Sequence, residues 1–156
     1  MKALPNNPML NPDFKEFAEL LNAHRVDYLV VGGYALAAHG HPRYTGDIDF
    51  WLDCKPDNIN RVADALREFG FGSIGLKAED FGPDAVIQQG QPPRRIDLLT
   101  GIDGVDFASC RARREVIDVD GLLLNFIGLD DFKANRRASG RHKDLADLEA
   151  LDDGKD

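Results

Sequence analysis

Three aspartates and a glycine pair have the types and spacing to do chemistry. Asp47 and Asp49 flank Ile48 in Asp47-Ile48-Asp49-Phe50-Trp51-Leu52, and Asp97 lies further on in Arg95-Ile96-Asp97-Leu98-Leu99. On a strand, alternate side chains share a face, so Asp47 and Asp49 would point one way, roughly 7 Å apart, with Ile48, Phe50 and Leu52 opposite. Two carboxylates so held repel unless a cation sits between them, and their hard oxygens suit magnesium or manganese. Asp97, on a separate strand, offers a third carboxylate able to take the proton of an attacking hydroxyl or to share a metal. Gly32-Gly33 falls between an apolar run and a small-residue patch, where bare backbone N–H groups can approach a phosphate. Metals held by such carboxylates would activate an attacking oxygen and stabilise a leaving pyrophosphate.

The surrounding elements must hold these groups. Residues 26–31 are short, β-branched and apolar and predict a buried strand. The glycines end it and open a helix over residues 34–39, followed by a loop over 40–46 and a strand over 47–52. Asp13 is placed to cap a preceding helix that runs to about His24, with Phe14, Phe17, Leu20 and Leu21 at helical spacing. Asp57 is placed to cap a helix whose stripe is Ile59, Val62, Ala63, Leu66 and Phe69, ended by Gly70. Residues 71–84, with three glycines and a proline, are weakly specified. Residues 85–89 and 95–99 predict an antiparallel hairpin, 103–113 a short helix, and 115–119 with 122–126 a second hairpin about Asp120-Gly121. Asp130 and Asp131 would cap a helix over 132–139 stopped by Gly140, and a last helix carries Leu145, Leu148 and Leu151. The fold class is α+β (mixed α/β): a mixed sheet flanked by helices, with helices at the C-terminal end. Residues 1–12 predict an irregular lead-in, 13–151 a single domain, and 152–156 a frayed tail.

Bulk properties set limits. With 156 residues, 43% hydrophobic and 29% charged, the chain reads as ordinary globular protein able to bury a core. A net charge of −8 and a pI near 4.9 argue against broad nonspecific DNA binding. Cys54 and Cys110 match no zinc spacing and read as free thiols. No signal-peptide core and no apolar run long enough for a membrane is visible, so the expected location is cytoplasmic, with no membrane partner. Against the acidic background, Lys133, Arg136, Arg137, Arg141 and Lys143 form a dense basic cluster, either a solvated helix face or a cradle for phosphate or RNA. Lys143 and Asp147 are spaced as an exposed i,i+4 pair; the alternative has Lys143 reaching phosphates, with Lys133 or Arg137 close by. Arg43 either contacts phosphate or pairs with a surface carboxylate, and Thr45 bonds loop backbone or ligand. Trp51 either lines a base pocket or fills the sheet surface. His39 and His41, with no cysteine nearby, do not make a zinc site.

The run Gly32-Gly33-Tyr34-Ala35, followed by Arg43, Thr45 and Asp47-Ile48-Asp49, resembles the signature of the DNA-polymerase-β-type nucleotidyltransferase superfamily. More narrowly it is similar to the minimal nucleotidyltransferases, including the bacterial AbiEii-like toxin group and the small antibiotic nucleotidyltransferases. The resemblance continues through Arg95-Ile96-Asp97-Leu98-Leu99 and into Arg141-His142-Lys143-Asp144-Leu145-Ala146-Asp147-Leu148, from about Tyr28 to Leu151. It implies a nucleotidyltransferase-type fold in which Asp47 and Asp49 bind metal and Asp97 is the base or third metal ligand, all three being catalytic. Gly32 and Gly33 would contact the triphosphate, joined by Arg43 and Lys143. The implied cofactor is Mg2+ or Mn2+, and an NTP such as ATP the co-substrate. The acceptor is left open among RNA, protein and small molecules, and a toxin of this kind would have a cognate antitoxin as partner. Gly33 departs from the pattern, standing where many relatives have a serine whose hydroxyl helps hold the phosphates. The alternatives are a binding module of the same fold without turnover, and an antibiotic-modifying enzyme.

Overall fold

The buried strand predicted before the glycine pair lies near the middle of the sheet. In the computed structural model, which describes residues 2–3, 10–41, 46–70, 78–91 and 94–153, it spans Tyr28–Val31 (β2), all four residues buried. Helix α2, Gly32–Ala38, follows without a break, so both glycines belong to its first turn. Strand β3, Ile48–Leu52, returns antiparallel to β2. Beyond it lie β5, Ile96–Leu99, parallel to β3, and the edge strand β4, Val86–Gln89, antiparallel to β5. On the far side of β2 come β7, Leu122–Phe126, and β6, Glu115–Val119, which form the predicted hairpin. Its turn places Asp120 and Gly121 at φ 54° and 83°, the left-handed pair that two-residue hairpins require. A two-residue strand β1, Lys2–Ala3, lies parallel to β6, within the stretch that the sequence reads as irregular. The full order is β1-β6-β7-β2-β3-β5-β4.

One face of the sheet is the main apolar layer. Tyr28, Val30, Phe50, Leu52 and Leu98 point to it by register, and helices α1, Pro12–Ala23, and α3, Pro56–Phe69, cover it. Phe17 meets Phe50 edge-on at 5.6 Å and Phe69 at 5.2 Å, while Tyr28 meets Phe50 at 5.5 Å. Such aromatic pairs add to what burial of their area supplies. Both helices open with proline, whose missing N–H is not needed there. Asn11 caps α1, its Oδ1 accepting from Asp13 N at 2.8 Å, and Asp13 itself sits in the first turn. At α3 the cap position is Lys55 with no side-chain bond, and Asp57 lies in the first turn, where its charge favours the helix dipole rather than capping it.

The opposite face carries Leu29, Asp49, Trp51, Asp97 and Leu99 by the same registers. Helix α4, Phe107–Ala112, is shorter than predicted because Asp106 caps it, accepting from Ser109 N at 3.0 Å. Its Phe107 stands edge-on to Trp51 at 5.1 Å. Trp51 is therefore a sheet-filling residue, 2% exposed. Helices α5, Leu129–Ser139, and α6, His142–Asp153, pack on each other. The first turn of α5 starts before the predicted Phe132, so Asp130 and Asp131 lie inside it rather than capping it. In α6 the buried positions include two aspartates as well as a leucine. Asp144, Asp147 and Leu151 are buried and Leu145 is 46% exposed, because an arginine from α5 faces the two aspartates. Among the described residues no helix is long and apolar enough to cross a membrane.

Asn58, 1% exposed, extends the β2–β3 pairing beyond its last residues. Its Oδ1 accepts from Asp27 N at 2.7 Å, and its Nδ2 donates to Asp27 O at 3.0 Å and Asp53 O at 2.8 Å. Asn58→Ala would take these partners from Asp27 N and Asp53 O, while Asp27 O keeps the bond from Asp53 N at 3.2 Å, and each buried unmet group costs about 1–3 kcal/mol. A loss of about 2–4 kcal/mol is expected in urea denaturation.

Candidate active site

The central feature is a like-charged contact set by strand register. Asp49 on β3 pairs with Asp97 on the parallel strand β5, so the two side chains rise side by side from one face. The Asp49 carboxyl is pushed up to about 7 from an ordinary 3.8. Burial is the largest cause, followed by the hydrogen bond to Asp97 and the negative charge of Asp97; Lys143 opposes the rise and Asp47 adds to it. Asp49 thus keeps its proton well above the pH at which an isolated carboxyl would lose it. Gly32 packs against the same group. A Cβ there would overlap the Asp49 carboxylate, and its φ of +71° is one that side chains rarely adopt. The glycine is needed for close approach as much as for its turn.

Asp47 lies one residue before β3 and meets Arg95 rather than a strand neighbour. Its Oδ1 accepts from the backbone N–H of Arg95 at 3.1 Å, and its Oδ2 lies 3.4 Å from the Arg95 guanidinium. That guanidinium forks onto Asp97, Nε to Oδ1 at 2.7 Å and Nη2 to Oδ2 at 3.1 Å. Arg95 and Asp97 are two apart on one strand face, which makes the two-point grip available without distortion.

These groups line an open cleft of about 910 Å3 whose other wall is basic. Arg136, Arg141 and Lys143 line it, with Asn135 and Ser139 between them. Arg136, its side chain 8% exposed, reaches Asp144 at 3.2 Å and Asp147 at 3.4 Å, with its guanidinium carbon 4.6 Å above the Phe132 ring. Arg141 donates to the other Asp144 oxygen at 2.8 Å. Burial alone would raise the Asp144 carboxyl, but the Arg141 hydrogen bond and the Arg136 charge outweigh it and hold it below the usual range. Asn135 ties the wall to the loop before α4 by donating to Asp103 O at 2.9 Å. Near β4 the lining is apolar instead, with Val86, Leu99 and Ile102.

Of the residues singled out in the sequence, Gly32, Gly33, Asp47, Asp49, Asp97 and Lys143 all line this cleft. Arg43 and Thr45 lie outside the described residues. Trp51 is buried under α4. The His39 side chain is buried near Phe132, its Nε2 donating to Ile127 O at 2.7 Å. The basic cluster divides: Arg136, Arg141 and Lys143 face the cleft, whereas Lys133 is buried and Arg137 is exposed away from the lining. Asp147 is not the exposed partner of Lys143 but a buried partner of Arg136. Sequence reasoning assigned no site role to Arg95, Asn135, Asp103 or Ser139. Arg95 carries a signal in the motif itself, standing two residues before Asp97 on the same face.

The donor set has the chemistry of a magnesium or manganese site, since Asp47, Asp49 and Asp97 supply only hard oxygens. Among the described residues, however, no three His, Cys, Asp or Glu residues are arranged as a finished metal cage. Magnesium commonly takes one or two carboxylates and completes its shell with water and substrate phosphate.

No family model matches the chain, and no curated protein matches it significantly in sequence. Among solved structures, the chain is similar to a Thermotoga maritima protein described only provisionally as a nucleotidyltransferase. The TM-score is 0.60 with 13% identity, covering 96% of each chain. At that identity the likeness shows the fold, a mixed α+β sheet of the nucleotidyltransferase type.

The raised Asp49 carboxyl makes a pH prediction. Its folded value, about 7, lies above its ordinary 3.8, so between these the folded state binds the extra proton and stability falls as pH rises. Asp49→Asn cannot ionise and escapes that loss. In the presence of a chelator it is expected to be more stable than the parent by about 2 kcal/mol at pH 8, and to lose that advantage by pH 4. Urea denaturation across the range measures it.

Proposed function

We propose that this protein is a metal-dependent nucleotidyltransferase that moves a nucleoside monophosphate from an NTP to an acceptor hydroxyl. The observation that carries this is the convergence of Asp49 and Asp97, in register contact above the bare Gly32, on a cleft whose facing wall is basic. Asp47 and Asp49, with Asp97 as the third ligand, would hold Mg2+ or Mn2+ together with phosphate oxygens. When bound, the metal supplies charge neutralisation for the triphosphate and the departing pyrophosphate. The chain's own residues do the rest. Gly32 and Gly33 leave room for the phosphates to reach the backbone. Lys143, with Arg136 and Arg141 behind it, gives the polyanion a positive wall. Asp97 accepts the proton as the acceptor oxygen bonds to the α-phosphorus and the bond to pyrophosphate breaks. Most of the rate comes from positioning and charge balance.

The acceptor can be RNA, protein or a small molecule. The resemblance carried by Gly32-Gly33-Tyr34-Ala35, Arg43, Thr45 and Asp47-Ile48-Asp49 supports a narrower assignment to a toxin of the AbiEii-like group, acting with a cognate antitoxin. Growth arrest on expression, abolished by Asp47→Ala, is the outcome expected of a toxin; a gain in drug resistance would assign an antibiotic-modifying enzyme instead.

The reaction itself is tested with labelled NTPs, magnesium and a panel of RNA, protein and small-molecule acceptors. Labelled product is expected, with Asp49→Ala lowering the rate at least ~1,000-fold and Lys143→Ala about 10–100-fold, the latter chiefly through KM for the NTP. NTP binding without any transfer, unchanged by Asp49→Ala, would assign a silent binding module instead.

A further inference from the structure

We infer that Arg95 and a divalent cation compete for Asp47 and Asp97, so that the guanidinium must release this pair before the metal is fully bound. The inference rests on the metal-dependent assignment above and adds a residue that sets metal affinity. Both oxygens of Asp97 already accept from Arg95, at 2.7 and 3.1 Å. Asp47 is engaged by the same residue twice, through the backbone N–H at 3.1 Å and the guanidinium at 3.4 Å. A guanidinium on these oxygens fills the directions from which a small ion would approach, since magnesium demands oxygens at about 2.0–2.1 Å in near-octahedral array. Two cations on one carboxylate pair also repel each other. Arg95 can leave. Its side chain is 26% exposed, lines the cleft, and is anchored by a flexible stem, whereas Asp97 is 9% exposed and fixed on β5. The arginine is then a resident counter-cation that keeps the acidic cluster folded until metal arrives, and its departure is part of the cost of loading.

This makes two effects of opposite sign. Removing Arg95 takes away the competitor and its charge, so metal binds more tightly; without metal the same change leaves the carboxylates uncompensated, so the fold is weaker. A residue that merely oriented Asp97 would weaken both. The test uses the full chain, with Mn2+ binding read from the electron paramagnetic resonance of the free ion and melting followed in chelator and at saturating Mn2+. Arg95→Ala is expected to bind Mn2+ roughly fivefold more tightly, the size of a partly exposed ion pair. It should also melt below the parent in chelator and close that gap in Mn2+. Arg95→Lys, which keeps the charge but not the fork, should fall between, and serves alone if the alanine variant does not fold. Unchanged or weaker Mn2+ binding in both variants overturns the inference. Mn2+ binding that Asp49→Ala leaves untouched overturns the metal site itself, whatever Arg95 does.

Discussion

The register of β3 against β5 is the constraint on which the site depends. It sets Asp49 beside Asp97 on the same sheet face, and two such charges at contact oppose each other by on the order of 4 kcal/mol at the effective dielectric of a protein surface. A small domain has only about 5–15 kcal/mol of stability in all. The repulsion therefore has to be answered locally, and three features answer it: the proton kept by Asp49, the fork of Arg95 on Asp97, and the nearby Lys143. Gly32 contributes by standing close beneath without a side chain that would push Asp49 aside. A sheet whose job was only to pack would have had apolar residues at 49 and 97, as it does at Ile48, Phe50, Ile96 and Leu98.

The same economy of charge recurs in α5 and α6. Arg136 is buried with Asp144 and Asp147 where packed helices would ordinarily place leucines. Buried ion pairs of this kind add little net stability over an apolar pair, but losing one partner costs about 3–5 kcal/mol. What they supply is position. The helix pair is locked in one arrangement, with Arg136 stacked on Phe132 and Asn135 tied to Asp103, and the basic wall is fixed opposite the acids.

The strands were legible because their signals are local. Four-residue apolar runs, period-two alternation and the Asp120-Gly121 turn name β2, β3 and the β6–β7 hairpin almost to the residue. Asp49 and Asp97 were legible as individual acids, because each stands alone among apolar neighbours on a strand. Their contact was not, since register between strands 48 residues apart is a property of tertiary pairing. Helix boundaries moved where side-chain chemistry has two options: Asn11 took the cap that Asp13 also suits. The buried face of α6 was not legible for a related reason. Its leucines at 145, 148 and 151 have helical spacing, but the buried stripe is decided by Arg136, eight residues before Asp144 in sequence and on another helix. Charge burial cannot be read from one helix at a time.

The order of the sheet has a consequence for the chain as it is made. The central strand β2 and the acid-bearing strands β3 and β5 all come from residues 28–99, and they can pair as soon as that stretch is free of the ribosome. The basic wall comes from α5 and α6, more than thirty residues later along the chain than β5, and domains fold from what has emerged. Arg95, the residue that leads into β5, is in reach of Asp47 and Asp97 throughout that interval. The arginine that grips the acids in the finished protein is also the one that travels out with them, so the half-made sheet carries its own neutralising charge.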